Sequence, residues 1–105
     1  MTRLTYYEKD NEISIELQGH AGYDKIGSDI VCAAISTLSQ TLLAYLNVDH
    51  DEFNYSLREG YLWCYAKGKN AIVAFHTIMA GFHLVEDRYP DCLVIQRGCS
   101  IQRES

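Results

Sequence analysis

The sequence predicts an α+β fold, two helices packed on an antiparallel or mixed sheet in the order ββαββα(β). Three observations carry that expectation. Apolar residues alternate with polar ones in segments that flank the turn-forming pairs Asp10-Asn11 and Glu59-Gly60. Two longer segments, 30–47 and 71–89, repeat apolar residues at steps of three and four. The chain has 105 residues and no repeat, linker or low-complexity run, so one compact domain over 1–105 is expected.

The first hairpin is expected over 3–8 and 12–18. In "EISIELQ", Ile13, Ile15 and Leu17 alternate with Glu12, Ser14, Glu16 and Gln18, the period of a half-buried strand. Lys9-Asp10-Asn11 supplies turn chemistry between the two strands. The second hairpin joins "DEFNYSLR" to "YLWCYAK" through Glu59-Gly60, and aromatic residues favour strand in both. The first helix is expected from Ile30 to Asn47, capped by Ser28 or Asp29, with Val31, Ala34, Leu38, Leu42 and Tyr45 as its buried stripe. The second runs from Ala71 to Tyr89, capped by Asn70 and stopped by Pro90, with Ala71, Phe75, Ile78, Phe82, Val85 and Tyr89 inward. "CLVIQ" reads as an edge strand before a polar tail.

Composition narrows the function classes. Hydrophobic residues at 48% and charged residues at 22% are those of a globular protein. Fourteen acidic against nine basic residues give a formal charge of -5. That opposes direct binding of nucleic acid, which needs a basic stripe, and suits a basic partner. The start, "MTRLTYYEKDNE", lacks the apolar run of a secretory signal. No stretch is expected to reach the roughly 18 to 20 apolar residues of a membrane span, so a cytoplasmic setting with reduced thiols is expected. Cys32, Cys64, Cys92 and Cys99 contain no CxxC spacing, and His20, His50, His76 and His83 form no paired metal signature. Neither a metal site nor a cofactor is expected.

The chemistry concentrates in "GHAGYDKIGSDIVCAAIS", Gly19 to Ser36. On a wheel of about 100° per residue, Cys32 lies beside Ser36 and Ser39 rather than on the Val31 stripe. A thiol whose purpose is packing would sit in the stripe. In the first helical turn, free amides and the helix dipole favour an anionic sulfur, and the same amides can hold an oxyanion. His20 follows a strand end near the same edge of the sheet, within reach of a Cys–His pair that needs spatial rather than sequential adjacency. Gly22 and Gly27 bracket a loop able to close on a substrate. Cys64 reads as a packed thiol, and Cys92 and Cys99 have no base nearby.

Gly19-His20-Ala21, the glycine-containing loop, and Gly27-Ser28-Asp29-Ile30-Val31-Cys32-Ala33-Ala34 followed by Ser36 together resemble the ribosomal-processing cysteine protease Prp family of small bacterial proteins. Chain length and element order resemble it too, so the likeness covers nearly the whole chain. It implies a thiol endopeptidase with Cys32 as nucleophile and His20 as general base, and with Asp29 and Ser36 at further positions lining the site. The implied substrate is the precursor of a large-subunit ribosomal protein, from which an N-terminal extension is removed after paired aromatic residues. A homodimer in the bacterial cytoplasm is implied as well, with the loop from His20 to Cys32 mobile until substrate binds. Tyr23 and Ile26, between Gly22 and Gly27, are the loop residues expected to meet the substrate's aromatics. Asp29 has claims on two duties, capping the helix and orienting His20. Two rival expectations stand beside this one: a non-catalytic ribosome-associated binding module, indifferent to replacement of Cys32, and a redox thiol enzyme, which would want a resolving cysteine close by.

Overall fold

Alternation decides the sheet, and the computed structural model, which describes residues 1–25, 29–48 and 52–104, places its strands as the pattern demands. The elements are β1 (Thr2–Lys9), β2 (Glu12–Gln18), α1 (Ile30–Val48), β3 (Phe53–Arg58), β4 (Tyr61–Lys67), α2 (Lys69–Arg88) and β5 (Leu93–Arg97). The strand order is β3-β4-β2-β1-β5. β1, β2, β4 and β3 pair antiparallel, while β5 joins β1 in parallel at the edge, so the sheet is mixed. Asp10 and Asn11 both adopt positive φ, 53° and 65°. That is the two-residue turn whose twist matches a hairpin, and Asp and Asn tolerate it. His50 and Asp51 lie outside the described residues.

The core lies between one sheet face and the two helices. Ile13 and Ile15 of β2, Leu4 of β1, Leu42 of α1, Phe82 of α2 and Leu93 of β5 are all almost fully buried. Each such side chain contributes roughly 1.5–3 kcal/mol through removal from water. The stripe expected on α2 holds, with Ala71, Phe75, Ile78 and Phe82 buried and Val85 and Tyr89 packed at its margin. The stripe expected on α1 is rotated. Val31 and Leu42 are buried as expected, but Ile35, Ser39, Leu43 and Leu46 join them, while Ala34 and Leu38 are half-buried and Tyr45 is 47% exposed. The helix meets the sheet on one side and α2 on the other, and its deepest line runs between the two.

Two further expectations change. Helix α2 begins two residues before the expected start, with Gly68 as its N-cap and no side-chain cap, so Asn70 lies inside the first turn. The chain passes from β4 into α2 with only Gly68 between them, which leaves Asn70 too late to cap. Segment 30–47 is also long and apolar enough, by length and composition, to cross a bilayer. Val31, Ile35, Leu42 and Leu46 on that segment instead join the shared core.

The polar tail crosses the sheet face that the helices leave open. The Gly98 amide donates to the Tyr6 carbonyl at 2.7 Å, the Gln102 amide to Ser14 Oγ at 3.0 Å, and the Trp63 indole to the Gln102 carbonyl at 3.0 Å. Ser56 and Glu104 close the far end. This strap explains how Ser14, polar and on the outward side of β2, becomes fully buried with its hydroxyl satisfied.

Candidate active site

Gly19 ends β2 and sets where His20 goes. Its φ is +95°, and a Cβ there would lie 2.6 Å from the Met1 carbonyl oxygen, so the backbone needs glycine at this approach. The Gly19 amide donates to the Gly60 carbonyl at 2.9 Å, joining the end of β2 to the β3–β4 turn. The next side chain, His20, is exposed and lies over Gly60. A Cβ at Gly60 would stand 3.3 Å from His20 Nε2, so the bare turn backbone forms the ring's seat.

Asp29 organises the other half. It is buried, and Oδ1 accepts the Val31 and Cys32 amides at 2.9 and 2.8 Å, the bonding of a helix N-cap. Its Oδ2 accepts the Tyr23 and Asp24 amides at 2.8 and 3.1 Å. Burial alone would raise its pKa, but the four backbone donors outweigh that and hold the carboxyl below the usual carboxylate value. Of its two candidate duties, the four bonds serve the first: they cap α1 and pin the loop to it. Ser28, the other cap candidate, lies outside the described residues.

This cap alters one expectation about oxyanion binding. The Val31 and Cys32 amides are taken by Asp29, and the Ala33 amide donates to the Asp29 carbonyl at 3.1 Å. A different amide reaches the sulfur. The N–H of buried Ala21 donates to Cys32 Sγ at 3.1 Å. Cys32 is half-buried at the third position of α1, with the packed neighbours of the core behind it.

Cys32 and His20 open onto one cleft of about 520 Å³, whose walls include Ser36 and Gln40 of α1 and the Arg58–Tyr61 turn. The structure thus brings Cys32, His20 and Ser36 to one cavity, while Asp29, at the helix start, is not among its walls. Gly22 and Tyr23 are not among its walls. The Tyr23 ring meets Tyr89 edge-on, with centroids 5.4 Å apart and planes at 79°, so it faces the end of α2 rather than the cleft. Ile26 and Gly27 lie outside the described residues. Gly60 and Gln40 were not foreseen. The turn at Glu59-Gly60 was legible, but its position under His20 depends on β4 pairing with β2.

The remaining thiols are separate from this cleft. Cys64 is fully buried, which pushes its thiol up to about 12 despite a backbone hydrogen bond. Cys92 is buried and Cys99 exposed. Among the described residues, no three His, Cys, Asp or Glu side chains gather as a metal site requires.

Comparison with known proteins gives the family and the fold. The family model described as "Cysteine protease Prp" matches residues 1–94. No curated protein sequence matches the chain. Among solved structures, the ribosomal processing protease Prp from S. aureus with a covalently linked product peptide superposes with a TM-score of 0.84 at 17% identity, over 93% of this chain and 100% of that one. The same S. aureus protease with a substrate peptide gives 0.73 at 16% identity, again over 93% and 100%. SMU.848 from Streptococcus mutans gives 0.70 at 25% identity, over 92% and 93%. These likenesses show a shared fold, and the family match over nine-tenths of the chain shows its kinship: the chain belongs to the Prp family and is a cysteine protease.

Proposed function

We propose that the chain is an endopeptidase that removes the N-terminal extension of a large-subunit ribosomal protein, with Cys32 as nucleophile and His20 as general base. The observation that carries this reading is the Ala21 amide directed at Cys32 Sγ, 3.1 Å away, on a cleft that His20 also lines. One solved protein of like fold, from S. aureus, is described as a ribosomal processing protease, holding a product peptide in one structure and a substrate peptide in another, and a chain of charge -5 suits a basic ribosomal protein.

The proposed steps use residues already placed. His20 takes the Cys32 thiol proton, and the resulting thiolate attacks the scissile carbonyl carbon, forming the C–S bond as the carbonyl π pair moves to oxygen. The oxyanion forms on the carbon bonded to the sulfur, two bonds from Sγ, so the Ala21 N–H that lies 3.1 Å from Sγ is placed to donate to it. Collapse breaks the C–N bond, and imidazolium at His20 gives its proton to the leaving amine. Water, deprotonated by His20, then attacks the thioester and frees the acid and the Cys32 thiolate. Asp29 acts as a positioning residue, holding the start of α1 and the following loop in register, and Ser36 borders the bound peptide. Tyr23 would have to turn from Tyr89 to meet the peptide, as closure of its loop on substrate would require.

The active form in this reading is a cytoplasmic homodimer. The helix layer offers Tyr45 and Val73, 47% and 66% exposed, beside a groove of about 320 Å³, apolar surface of the kind a second copy covers.

A cleavage assay read by intact mass tests the function. The protein and a Cys32→Ala variant are incubated with a peptide copying the precursor's extension and junction. One cut by the parent and none by the variant is expected. Absence of any cut by folded, reduced parent protein would overturn the substrate assignment.

A further inference from the structure

Two helices cannot cover five strands, and the strand left over is β3. Tyr55 and Leu57 face the helix side of the sheet, opposite the buried Cys64 and Leu62 of β4. Yet they are 49% and 50% exposed, because α1 stops short of the edge. Between α1 and β3 lies a second hollow of about 210 Å³, floored by Tyr55 and Leu57 and walled by Leu43, Ala44 and Asn47. It shares Gln40 and Leu57 with the cleft that holds Cys32 and His20. The two hollows therefore adjoin at Gln40 and Leu57, in line along α1.

The backbone of β3 adds a second feature. β3 is the terminal strand of the sheet, so one of its sides has no strand neighbour among the described residues. In the ladder closed by Glu59-Gly60, alternate residues from Arg58 backwards bond to β4, and the Lys67 amide continues that series by donating to the Glu52 carbonyl at 2.9 Å. The backbone groups of Leu57 and Tyr55 consequently face outward. The outward Tyr55 amide is met by the Asn54 side chain at 2.9 Å, a local bond that an incoming strand can replace.

We propose that this groove, from Cys32 to Asn47 along α1, binds an extended stretch of substrate as an added strand on β3, with Tyr55 and Leu57 reading side chains remote from the scissile bond. The occupant is a polypeptide because the hollow adjoins, along α1, the cysteine cleft of a protease. The fifteen helical steps from Cys32 to Asn47, at 1.5 Å each, span roughly 22 Å. At about 3.3 Å per residue, that length holds roughly six or seven extended residues. Every second side chain would enter the notch, where apolar or aromatic groups fit, and backbone pairing would supply affinity without sequence demand.

The proposal rests on Cys32 being the reacting thiol, and its test is built to be judged separately. Binding is read by fluorescence anisotropy in Cys32→Ala protein, with a labelled peptide of four residues on either side of the junction and with versions extended by four residues at one end or the other. We expect one of the two extensions to tighten binding about tenfold or more, the worth of burying one large apolar side chain. Ala44→Trp, which fills the notch from an exposed helix position, and Tyr55→Ala are each expected to abolish that gain. Leu84→Ala, on the far helix, should keep it. No gain from either extension, or a gain that survives in both groove variants, would overturn the proposal. So would sedimentation in which Ala44→Trp splits a dimer, since the notch would then be a contact between copies. Failure of the parent to cleave the same peptides would refute the protease substrate and leave the binding ratio to judge the groove.

Discussion

Replacing Gly19 by alanine tests how the site is held, and its cost follows from the geometry. At φ +95° an L-residue carries strain of about 1–3 kcal/mol. The new Cβ would meet the Met1 carbonyl oxygen at 2.6 Å, so one of them must move by about 0.4 Å to reach the 3.0 Å that real Cβ atoms respect. Neither side yields easily, since both are backbone. The Thr2 amide is tied to the Cys92 carbonyl at 2.8 Å and the Gly19 amide to the Gly60 carbonyl at 2.9 Å, and loss of either bond costs about 1 kcal/mol. The sum, about 2–4 kcal/mol, should lower Tm by roughly 10–20 °C in a chain of this size. Gly60→Ala is the comparison. Its φ of +69° is in the left-handed well, and its Cβ meets only the movable His20 ring at 3.3 Å, so a cost of roughly 1–2 kcal/mol is expected. Circular-dichroism melts of parent and both variants measure this. A Gly19→Ala protein that melts with the parent, or above Gly60→Ala, would refute the reasoning.

Three further outcomes follow from the same contacts. Asp29→Asn keeps an acceptor for Val31 and Cys32 but loses the one for Tyr23 and Asp24. Hydrogen exchange should therefore quicken at residues 23 and 24 while the start of α1 stays protected, and the reverse pattern would contradict the two-sided clamp. Because the Asp29 carboxyl is held below its unfolded value of 3.8, its stabilisation is complete above that value and is lost as pH falls through the lower folded pKa. The stability gap between parent and Asp29→Asn should shrink as acid is added below pH 3.8 and stay level above it, which acid-dependent urea unfolding can check. Iodoacetamide on the native protein at mildly alkaline pH should label Cys99 and Cys32 and spare buried Cys64, whose thiol sits at about 12, and Cys92. Early labelling of Cys64 by peptide mapping would mean that the core opens.

The fold was legible because its elements carry strong local signals. β2 and β4 fall where alternation and turn residues placed them, and α1 starts at the expected Ile30. What failed depends on neighbours. The buried face of α1 is set by where α2 and the sheet lie relative to it, which a helical wheel does not contain. The N-cap of α2 moved because Gly68, its amide held by the Asn11 carbonyl of the neighbouring turn at 2.8 Å, passes the chain from strand to helix in one residue. At the site, the proximity of His20 and Cys32 was legible from chain economy, a strand end and a helix start twelve residues apart. The use of the helix-start amides was not. Whether Asp29 spends them on itself depends on the rotamer and the fold of the loop, and so does the turning of Tyr23 towards Tyr89. The strap over Ser14 and Trp63 was invisible because its contacts are between residues as many as 88 positions apart.

The central claim is that Cys32 forms a covalent bond with the substrate's acyl half. Acid quench during the first turnover, followed by intact mass and peptide mapping, reads that bond directly. The account predicts a transient mass increase equal to the acyl fragment, located on the peptide that contains Cys32 and absent in Cys32→Ala. Cleavage with the adduct on another cysteine, or undiminished cleavage by Cys32→Ala, would contradict it.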